Sequence, residues 1–569
     1  MKCFGVFLFL GKESKWQILW RHSHCISAII LLLLVGLIGG GDAHIHRPRP
    51  RSQMLDNSAE DWMHSFKPNP KERAGSVKSE DSTFWYNHAQ NSLRSQKVNM
   101  IERVAKNVIF FLGDGMSFAT ITAARIFKGQ LEGSPFGEEA ELNFEHFPHI
   151  GLSKSFCVDS QVADSACSST AYMGGTKGNI ATVGVKSPVT FRDCRSQMNR
   201  TNQATSFIAW AQAAGKATGI ITTTRVTHAS PAGAYAHSAD RDWENDKIMR
   251  DAGENPDKCD DIAEQLIFGE TGRNINVIMG GGRRELTPSS VMDVENQRPG
   301  RREDGKNLIE YWLKGKPPKS SKYVWNRDQL MSINASQVDN VLGLFAHDHM
   351  DYVTDADANA DPSLPEMTKV AIDILSKNPN GFVLFVEGGR IDHAHHSTKA
   401  QKALVETIAL DAAVAAALEM TSEQDTLTIV TADHSHVMTI SGYAQRGNPI
   451  LGFSGISDVD DLPYTTLSYA NGPGYKHPDE NGERYDLTND NLEDPNYSQM
   501  SGVPLLSETH GGEDVPIYSN GPFAHMLTGV KHQSFIPHAI AYAACLQPPV
   551  DGFAFPPHCR TSSIGPLHR

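Results

Sequence analysis

Metal-binding side chains are concentrated in the segment Glu387-Gly-Gly-Arg-Ile-Asp392-His-Ala-His-His396. It carries two carboxylates and three imidazoles in ten residues. If a helix begins near Asp392, Asp392 and His396 lie one turn apart on the same face and can share a cation. A single Asp-x-x-x-His pair is most often a surface feature, so this segment needs support from other ligands.

That support comes from Thr431-Ala-Asp433-His434-Ser-His436, which ends a predicted strand. Asp433 and His434 can both reach one metal ion where the strand turns. Asp114 follows an earlier predicted strand, and the separate segment Thr509-His510-Gly-Gly-Glu513 adds another imidazole. Together these clusters predict a metal centre.

The ligand types indicate which metals and which chemistry. Nitrogen and oxygen ligands without thiolates suit catalytic zinc with an open coordination position. Two such ions about 4 Å apart could bind the attacking and leaving oxygens of an in-line displacement, as in phosphoryl transfer. A position made of Asp114, a hydroxyl and Glu387 would instead favour a hard ion such as magnesium.

A nucleophile and an anion-binding group are also present. Ser165 lies where a loop turns into a helix of small residues, and a helix N-terminus favours an anion beside it. The alternatives are that Asp164-Ser165 is a plain N-cap, or that Cys167 is the nucleophile; we interpret Cys167 as small buried packing. Arg241 is the candidate for a bidentate grip on two phosphoryl oxygens, although an Arg after an Asp is often a surface ion pair.

The elements that must position these residues are short buried strands. Apolar runs rich in Val, Ile and Phe occupy residues 108–112, 219–222, 277–279, 382–386 and 427–430, and helical patterns such as 401–419 lie between them. This alternation predicts an α/β fold, a three-layer sandwich around a large, mostly parallel sheet. Asp114, Glu387 and Asp433 each follow such a run, so three carboxylates should meet at one rim of the sheet, where a cation must lie between them.

Composition limits the partners. The 569 residues include 52 Lys and Arg against 66 Asp and Glu, a net charge of −14. This charge gives no attraction to nucleic-acid backbones, so no nucleic-acid partner is expected. With 40% hydrophobic and 21% charged residues, the chain is not disordered, collagenous or a coiled coil.

The N-terminus predicts export. Residues 26–38 are apolar and small residues follow, so we predict a signal peptide over 1–43; an uncleaved signal anchor is the alternative, although the run is shorter than the ~20 residues of a spanning helix. Residues 44–83 are polar and predict a linker or pro-segment. We expect an extracellular or cell-surface protein without a C-terminal lipid-anchor signal, and glycan acceptor sites at Asn199, Asn334 and Asn496.

Residues 440–506 are rich in Gly, Pro, Asn, Asp and Tyr and lack helical periodicity. We interpret this region as an inserted, loop-rich subdomain. The chain has eight Cys, and in a secreted protein some of them should form disulfides.

These motifs, in this order, closely resemble those of the animal alkaline phosphatases. The match extends from about residue 84 to residue 559, and its segments are Gly113-Asp114-Gly-Met, Asp164-Ser165-Ala, His228-Ala-Ser230-Pro-Ala-Gly, Val386-Glu387-Gly-Gly-Arg-Ile-Asp392, Thr431-Ala-Asp433-His434-Ser-His436-Val and Thr509-His510-x-Gly-Glu-Asp. The resemblance implies hydrolysis of phosphate monoesters to an alcohol and inorganic phosphate at alkaline pH.

The resemblance also implies a role for each site residue. Ser165 would form a phosphoserine intermediate and Arg241 would hold the phosphate. The first of two zinc ions would be bound by Asp392, His396 and His510, and the second by Asp114, Asp433 and His434. One magnesium ion would be bound by Asp114, Ser230 and Glu387, with His228 and His436 in supporting positions.

At the level of architecture, the resemblance implies a homodimer with an N-terminal arm near 84–95. The catalytic domain would extend over 84–545, with 440–506 as its crown-like insertion, followed by a C-terminal tail over 546–569. It implies the disulfides Cys194–Cys259 and Cys545–Cys559.

The sequence departs from the family at a calcium site known from the vertebrate enzymes. Its counterparts here would be Glu295, the Phe345 carbonyl and Asp361, but Ala346 stands where the family has a Glu. One carboxylate fewer should weaken calcium binding unless His347 or Asp348 compensates. The lipid-anchor tail that the family usually carries is also absent from this sequence.

Two other functions compete with this interpretation. A sulfatase or phosphodiesterase could use the same scaffold, but the Cys/Ser-x-Pro-x-Arg run of sulfatases does not occur. A binding protein without activity could share the fold, yet every metal, nucleophile and phosphate position is filled.

Overall fold

The computed structural model describes residues 100–134, 136–548 and 554–560. The predicted signal peptide (1–43), polar linker (44–83) and N-terminal arm (84–95) lie outside the described residues, as does much of the predicted tail (546–569). Within the described ranges, no helix has both the length and the apolar character needed to cross a membrane.

The strands form where the sequence is apolar and β-branched, and each predicted strand is present. In chain order they are β1 (Asn107–Gly113), β2 (His149–Lys154), β3 (Ala217–Arg225), β4 (Val277–Gly281), β5 (Ser321–Val324), β6 (Asn340–Leu344), β7 (Phe382–Gly388), β8 (Thr426–Ala432), β9 (Ser435–His436), β10 (Met438–Ile440), β11 (Phe453–Ile456), β12 (Pro463–Thr465), β13 (Leu467–Tyr469), β14 (His510–Gly511), β15 (Val515–Asn520) and β16 (Gly529–His532).

The main sheet of the described chain has ten strands in the order β16-β2-β15-β8-β1-β7-β3-β4-β6-β5. Strand β15 is antiparallel to both of its neighbours, and the other pairings are parallel. Strand β1 lies between β7 and β8, and its register aligns Leu112 with Glu387 and Gly113 with Ala432. The carboxyl ends of these three strands therefore meet at one level.

Helices connect the strands and cover the sheet. They are α1 (Phe118–Leu131), α2 (Ser165–Gly174), α3 (Cys194–Gln197), α4 (Phe207–Ala213), α5 (Ala229–Ala232), α6 (Asp246–Asp251), α7 (Ile262–Phe268), α8 (Arg283–Leu286), α9 (Leu308–Gly315), α10 (Arg327–Met331), α11 (Leu364–Leu375), α12 (Arg390–His396), α13 (Ala400–Met420), α14 (Ile536–Ala544) and α15 (Pro557–Arg560).

Both faces of the sheet are buried. Along β1, Val108 and Phe110 pack into one hydrophobic cluster, whereas Ile109 and Phe111 pack into another. Alternate residues of a strand point to opposite faces, so these clusters are the two interfaces of a three-layer sandwich. The predicted α/β fold is confirmed.

The segment 440–506, together with β10 at its start, forms two short antiparallel pairings, β10 with β13 and β11 with β12. Leu467 and Tyr469 of β13 are buried in a hydrophobic cluster with Ala123 of α1 and Leu404 of α13. The segment is therefore packed onto the helices of the sandwich.

The described residues contain three disulfides. Two of them are Cys194–Cys259 and Cys545–Cys559, the pairs that the family resemblance implies. The third joins Cys157 to Cys167. Our interpretation of Cys167 as plain buried packing is therefore wrong, because its sulfur cross-links the first turn of α2 to the preceding loop.

Removing a cross-link should lower stability more when the loop that it closes is longer, with a logarithmic dependence on loop length. The Cys157–Cys167 bond spans 10 residues and the Cys194–Cys259 bond spans 65. Loop-closure entropy predicts losses of about 3 and about 4 kcal/mol respectively. Denaturant titration of the two double Cys→Ala variants tests this ranking. A larger loss for the shorter loop would contradict the entropic account.

Candidate active site and metal centre

Three buried carboxylates meet at the end of the central strands. Asp114 follows β1, Glu387 lies near the end of β7 and Asp433 follows β8, and each side chain is completely buried. Burial raises the pKa of Asp114 well above its usual value, and the neighbouring Asp433 adds to this effect. Burial also raises the pKa of Glu387 to about 7. The three groups can be ionised together only if a cation compensates their charge.

A second group of ligand atoms converges beside them. Asp392 and His396 lie one turn apart on α12, as predicted, and His510 comes from β14. Asp392 Oδ1 lies 3.4 Å from His396 Nε2 and 3.3 Å from His510 Nε2, and the two Nε2 atoms are 3.1 Å apart. Ligands of a tetrahedral zinc ion with bonds of about 2.0 Å lie about 3.3 Å from one another. The three atoms therefore have the spacing of a zinc site.

The tautomers of the two imidazoles strengthen this argument. His396 Nδ1 lies 2.6 Å from the Glu508 carbonyl oxygen, and His510 Nδ1 lies 2.8 Å from the Ala163 carbonyl oxygen. A carbonyl oxygen can only accept, so each Nδ1 must carry the hydrogen. In the neutral rings both Nε2 atoms then face each other with lone pairs, which is unfavourable unless they share a cation.

The second position is formed by Asp114, Asp433 and His434. His434 Nε2 lies 3.1 Å from Asp433 Oδ2 and 3.6 Å from Asp114 Oδ1. Burial lowers the pKa of His434 well below its usual value, which keeps the imidazole neutral and able to bind a metal. Ser165 Oγ lies 3.2 Å from the same Nε2 and 3.4 Å from the same Asp114 oxygen. A cation bound here would contact the serine oxygen.

The third position uses only oxygen ligands. Ser230 Oγ lies 3.4 Å from Asp114 Oδ2, so the two oxygens of Asp114 serve two different positions. Glu387 Oε2 accepts hydrogen bonds from Thr222 and Thr224, whereas its buried Oε1 makes none to any described residue. An oxygen-only set suits magnesium.

Two interpretations of Asp164-Ser165 follow from the sequence, a helix N-cap or the site of the nucleophile, and the structure places the cap at Asp164. Asp164 is the N-cap of α2 and accepts a hydrogen bond from the Cys167 backbone N–H at 3.1 Å. Ser165 is the first helical residue and is buried. The capping alternative thus applies to Asp164, and the Ser165 oxygen remains beside the metal ligands.

Arg241, the candidate phosphate-binding residue, contacts two neighbouring side chains. Arg241 Nη1 donates to Asp164 Oδ2 at 3.0 Å, and its Nη2 lies 3.3 Å from His228 Nε2. The buried Nδ1 of His228 makes no hydrogen bond within the described part of the chain. Arg241 therefore forms a partly buried ion pair with the residue that precedes Ser165.

Sequence reasoning did not single out Glu508. This buried carboxylate lies 2.5 Å from His436 Nδ1, and His436 Nε2 lies 2.7 Å from Asp392 Oδ1. Burial alone would lower the pKa of His436, but the carboxylates of Glu508 and Asp392 together outweigh it and raise the pKa to about 10. The available signal was an acid two residues before His510, immediately before the identified segment Thr509-His510-Gly-Gly-Glu513.

The predicted calcium residues and the glycan acceptor residues do not belong to this cluster of ligands. Glu295 forms an ion pair with Arg283, and Asp361 has a raised pKa because of burial and the proximity of Glu295. The Phe345 side chain is buried in the core cluster on one face of the sheet. The glycan acceptor residues are all exposed, and they are Asn199, Asn334 and Asn496.

Comparisons with known proteins agree with this geometry. The model of the family described as alkaline phosphatase matches residues 105–546. The tissue-nonspecific alkaline phosphatase of Felis catus is 48% identical over 500 residues, covering 86% of this chain and 94% of that protein. The alkaline phosphatase of Gadus morhua is 49% identical over 81% of this chain and 97% of its own length. The membrane-bound alkaline phosphatase of Bombyx mori is 45% identical, with coverage of 82% and 86%.

Solved structures give the same fold. The alkaline phosphatase of Thermus thermophilus superimposes with a TM-score of 0.56 at 23% identity, covering 81% of this chain and 95% of that one. The enzyme of the Antarctic bacterium TAB5 gives a TM-score of 0.53 at 20% identity, with coverage of 78% and 99%. The chain therefore belongs to the alkaline phosphatase family and is an enzyme that hydrolyses phosphate monoesters.

Proposed function

We propose that hydrolysis proceeds through a phosphoserine on Ser165, with two zinc ions and one magnesium ion as cofactors. The observation that carries this proposal is the position of Ser165 Oγ, 3.2 Å from His434 Nε2 and 3.4 Å from Asp114 Oδ1. A serine oxygen in contact with two metal ligands is placed for activation by the same ion. When bound, the cations would favour the ionised serine and compensate the charge on the oxygens of the transferred group.

The chain's own residues divide the work as follows. Zinc would be held by Asp392, His396 and His510 at one position and by Asp114, Asp433 and His434 at the other. Magnesium would be held by Asp114, Ser230 and Glu387. His228 and His436 support these sets through the contacts described above.

The reaction itself has two steps. Ser165 Oγ attacks phosphorus, the bond from phosphorus to the alcohol oxygen breaks, and the proton given up by the serine hydroxyl leaves with the alcohol. Water then attacks the phosphoserine and releases inorganic phosphate, which regenerates the serine. Arg241 would hold two phosphoryl oxygens through both steps, and its bond to Asp164 fixes the guanidinium beside the nucleophile.

We also propose an exported, homodimeric glycoprotein at the cell surface or outside the cell. Three disulfides in the described residues suit an oxidising compartment. The exposed acceptor residues Asn199, Asn334 and Asn496 are compatible with glycosylation. A catalytic domain over 84–545 with a crown-like insertion at 440–506 would be its architecture. Calcium binding is weakened in this proposal, since Glu295 is paired with Arg283 and residue 346 is an alanine.

Replacing the nucleophile should abolish turnover without unfolding the protein. Ser165→Ala is expected to lower kcat for a simple chromogenic phosphate monoester by roughly 10³-fold or more, because no covalent intermediate can form. Ser169→Ala is the matched control on the same helix, since Ser169 Oγ donates only to backbone carbonyls of Ala166 and Ala229. Turnover by Ser165→Ala near the parent rate would exclude the mechanism, and parallel assays on a phosphodiester and a sulfate ester test the two competing activities.

Metal content should separate the three positions. Elemental analysis of the purified chain is expected to give two zinc ions and one magnesium ion. Glu387→Gln should lose magnesium and retain both zinc ions, since Glu387 belongs to the oxygen-only set. A strong chelator should remove activity, and zinc with magnesium should restore it. Equal loss of zinc and magnesium from the Glu387 variant would contradict this division of ligands.

The stabilising effect of metal should increase with pH. Burial raises the pKa of Glu387 to about 7, above its unfolded value, so in the metal-free protein this group contributes stability at low pH that is lost as pH rises through 7. Bound cations would compensate the carboxylate and remove this loss. The difference in Tm between metal-loaded and metal-free protein should therefore grow from about pH 5 to about pH 7, between the unfolded and folded pKa values of Glu387, and level off at higher pH. A constant or shrinking difference would count against metal binding at these carboxylates.

A further inference from the structure

We propose that Glu508 positions the zinc ligands of the active site. Its carboxylate orients His436 against Asp392, and its backbone carbonyl orients His396. The inference rests on the proposed function, because it concerns retention of the zinc ion that Asp392, His396 and His510 would bind.

The first step concerns the Glu508 carboxylate, which is buried and uses both oxygens. Oε2 accepts from His436 Nδ1 at 2.5 Å, and Oε1 accepts from the Val437 backbone N–H at 2.7 Å. His436 Nε2 in turn lies 2.7 Å from Asp392 Oδ1. That oxygen is the one that faces both Nε2 atoms of the zinc set. Glu508 thus acts through His436 on the oxygen that would bind the metal.

The second step concerns the backbone of Glu508. Its carbonyl oxygen lies 2.6 Å from His396 Nδ1, and its N–H donates to the His396 carbonyl oxygen at 2.9 Å. These two bonds join residues 396 and 508 reciprocally. They keep the hydrogen of His396 on Nδ1, so that Nε2 is left free for the metal.

The third step concerns what holds Glu508 in place. Gly472 has φ of +132° and approaches so closely that a Cβ there would lie 2.9 Å from Glu508 Cβ. The next residue, Thr509, donates its N–H to Asn471 Oδ1 at 2.9 Å and accepts from Asn471 Nδ2 at 3.0 Å. Residues 471 and 472 of the loop-rich segment therefore fix Glu508 against the zinc ligands.

The chemistry of the contact predicts which substitution breaks it. A carboxylate offers an acceptor to each of its two donors, but the amide of Gln has one oxygen and one NH₂ group. In Glu508→Gln the NH₂ group must face either Val437 N–H or His436 Nδ1–H, and one buried donor loses its acceptor. Substitution of a partner that orients a metal ligand in this way typically weakens metal binding by about 10- to 100-fold.

The experiment compares Glu508→Gln with Glu406→Gln in the full-length protein. Glu406 is a matched control, because its buried carboxylate accepts from the Val353 backbone N–H at 2.7 Å and makes no hydrogen bond to an imidazole in the described chain. Zinc affinity is measured by competition with a chromogenic zinc chelator. We expect Glu508→Gln to bind one zinc ion 10- to 100-fold more weakly than the parent and Glu406→Gln to stay within twofold.

A second variant separates positioning from a purely structural role. Glu508→Asp keeps both acceptors and the charge, and should recover part of the lost zinc affinity. At saturating zinc, Glu508→Gln should regain much of its kcat, which a misfolded variant would not.

The inference is overturned if Glu508→Gln binds zinc within twofold of the parent, or if the two Glu→Gln variants lose affinity equally. It is also overturned if both Glu508 variants fail to fold while Glu406→Gln folds, since Glu508 would then be structural. If the unsubstituted chain bound no zinc, the proposed function itself would fail, and the two failures are therefore distinguishable.

Discussion

The active site depends on the compensation of buried charge. Asp114, Glu387 and Asp433 are all fully buried, and ionised carboxylates in such surroundings repel one another and lose their hydration. The facing Nε2 atoms of His396 and His510, 3.1 Å apart, add a second unfavourable contact. Shared divalent cations would remove both problems at once. Metal binding would then be a condition for the ionised form of this site, and it would be thermodynamically coupled to the packing of the strand ends.

The three carboxylates lie together because the strands that carry or precede them are parallel neighbours. Strands β7, β1 and β8 are neighbours and parallel, so their carboxyl ends lie at one rim. Their own side chains are apolar and fill the core on both faces, and polar ligands can appear only where each strand ends. Ser165, the proposed nucleophile, lies apart from these strands at the start of α2, where Asp164 caps the helix and also accepts a hydrogen bond from Arg241. Asp164 thus links the start of the helix to the position of Arg241.

Local patterns made much of this predictable. The apolar runs identified the strands, and an acid after a run marked the rim, while the spacing of Asp392 and His396 predicted one helix face. The pairing of Glu508 with His436 could not be read in this way, because the two residues are 72 positions apart and only the tertiary fold joins them. The Cys157–Cys167 bond was missed for a similar reason. Its formation depends on a loop that brings the two Cα atoms within 5.7 Å, and sequence spacing alone does not reveal that distance.

The loop-rich segment over 440–506 is anchored to the site at its base. Its two ends are joined at the metal centre, since Val437 N–H donates to Glu508 at 2.7 Å and β9 pairs with β14. The tip of the segment can therefore change without moving His436 or His510. The base of the segment cannot change so freely. Tyr469 Oη lies 2.8 Å from His395 Nδ1 on α12, and Gly472 packs against Glu508. Substitutions at the base should therefore disturb the candidate metal ligands more than substitutions at the tip.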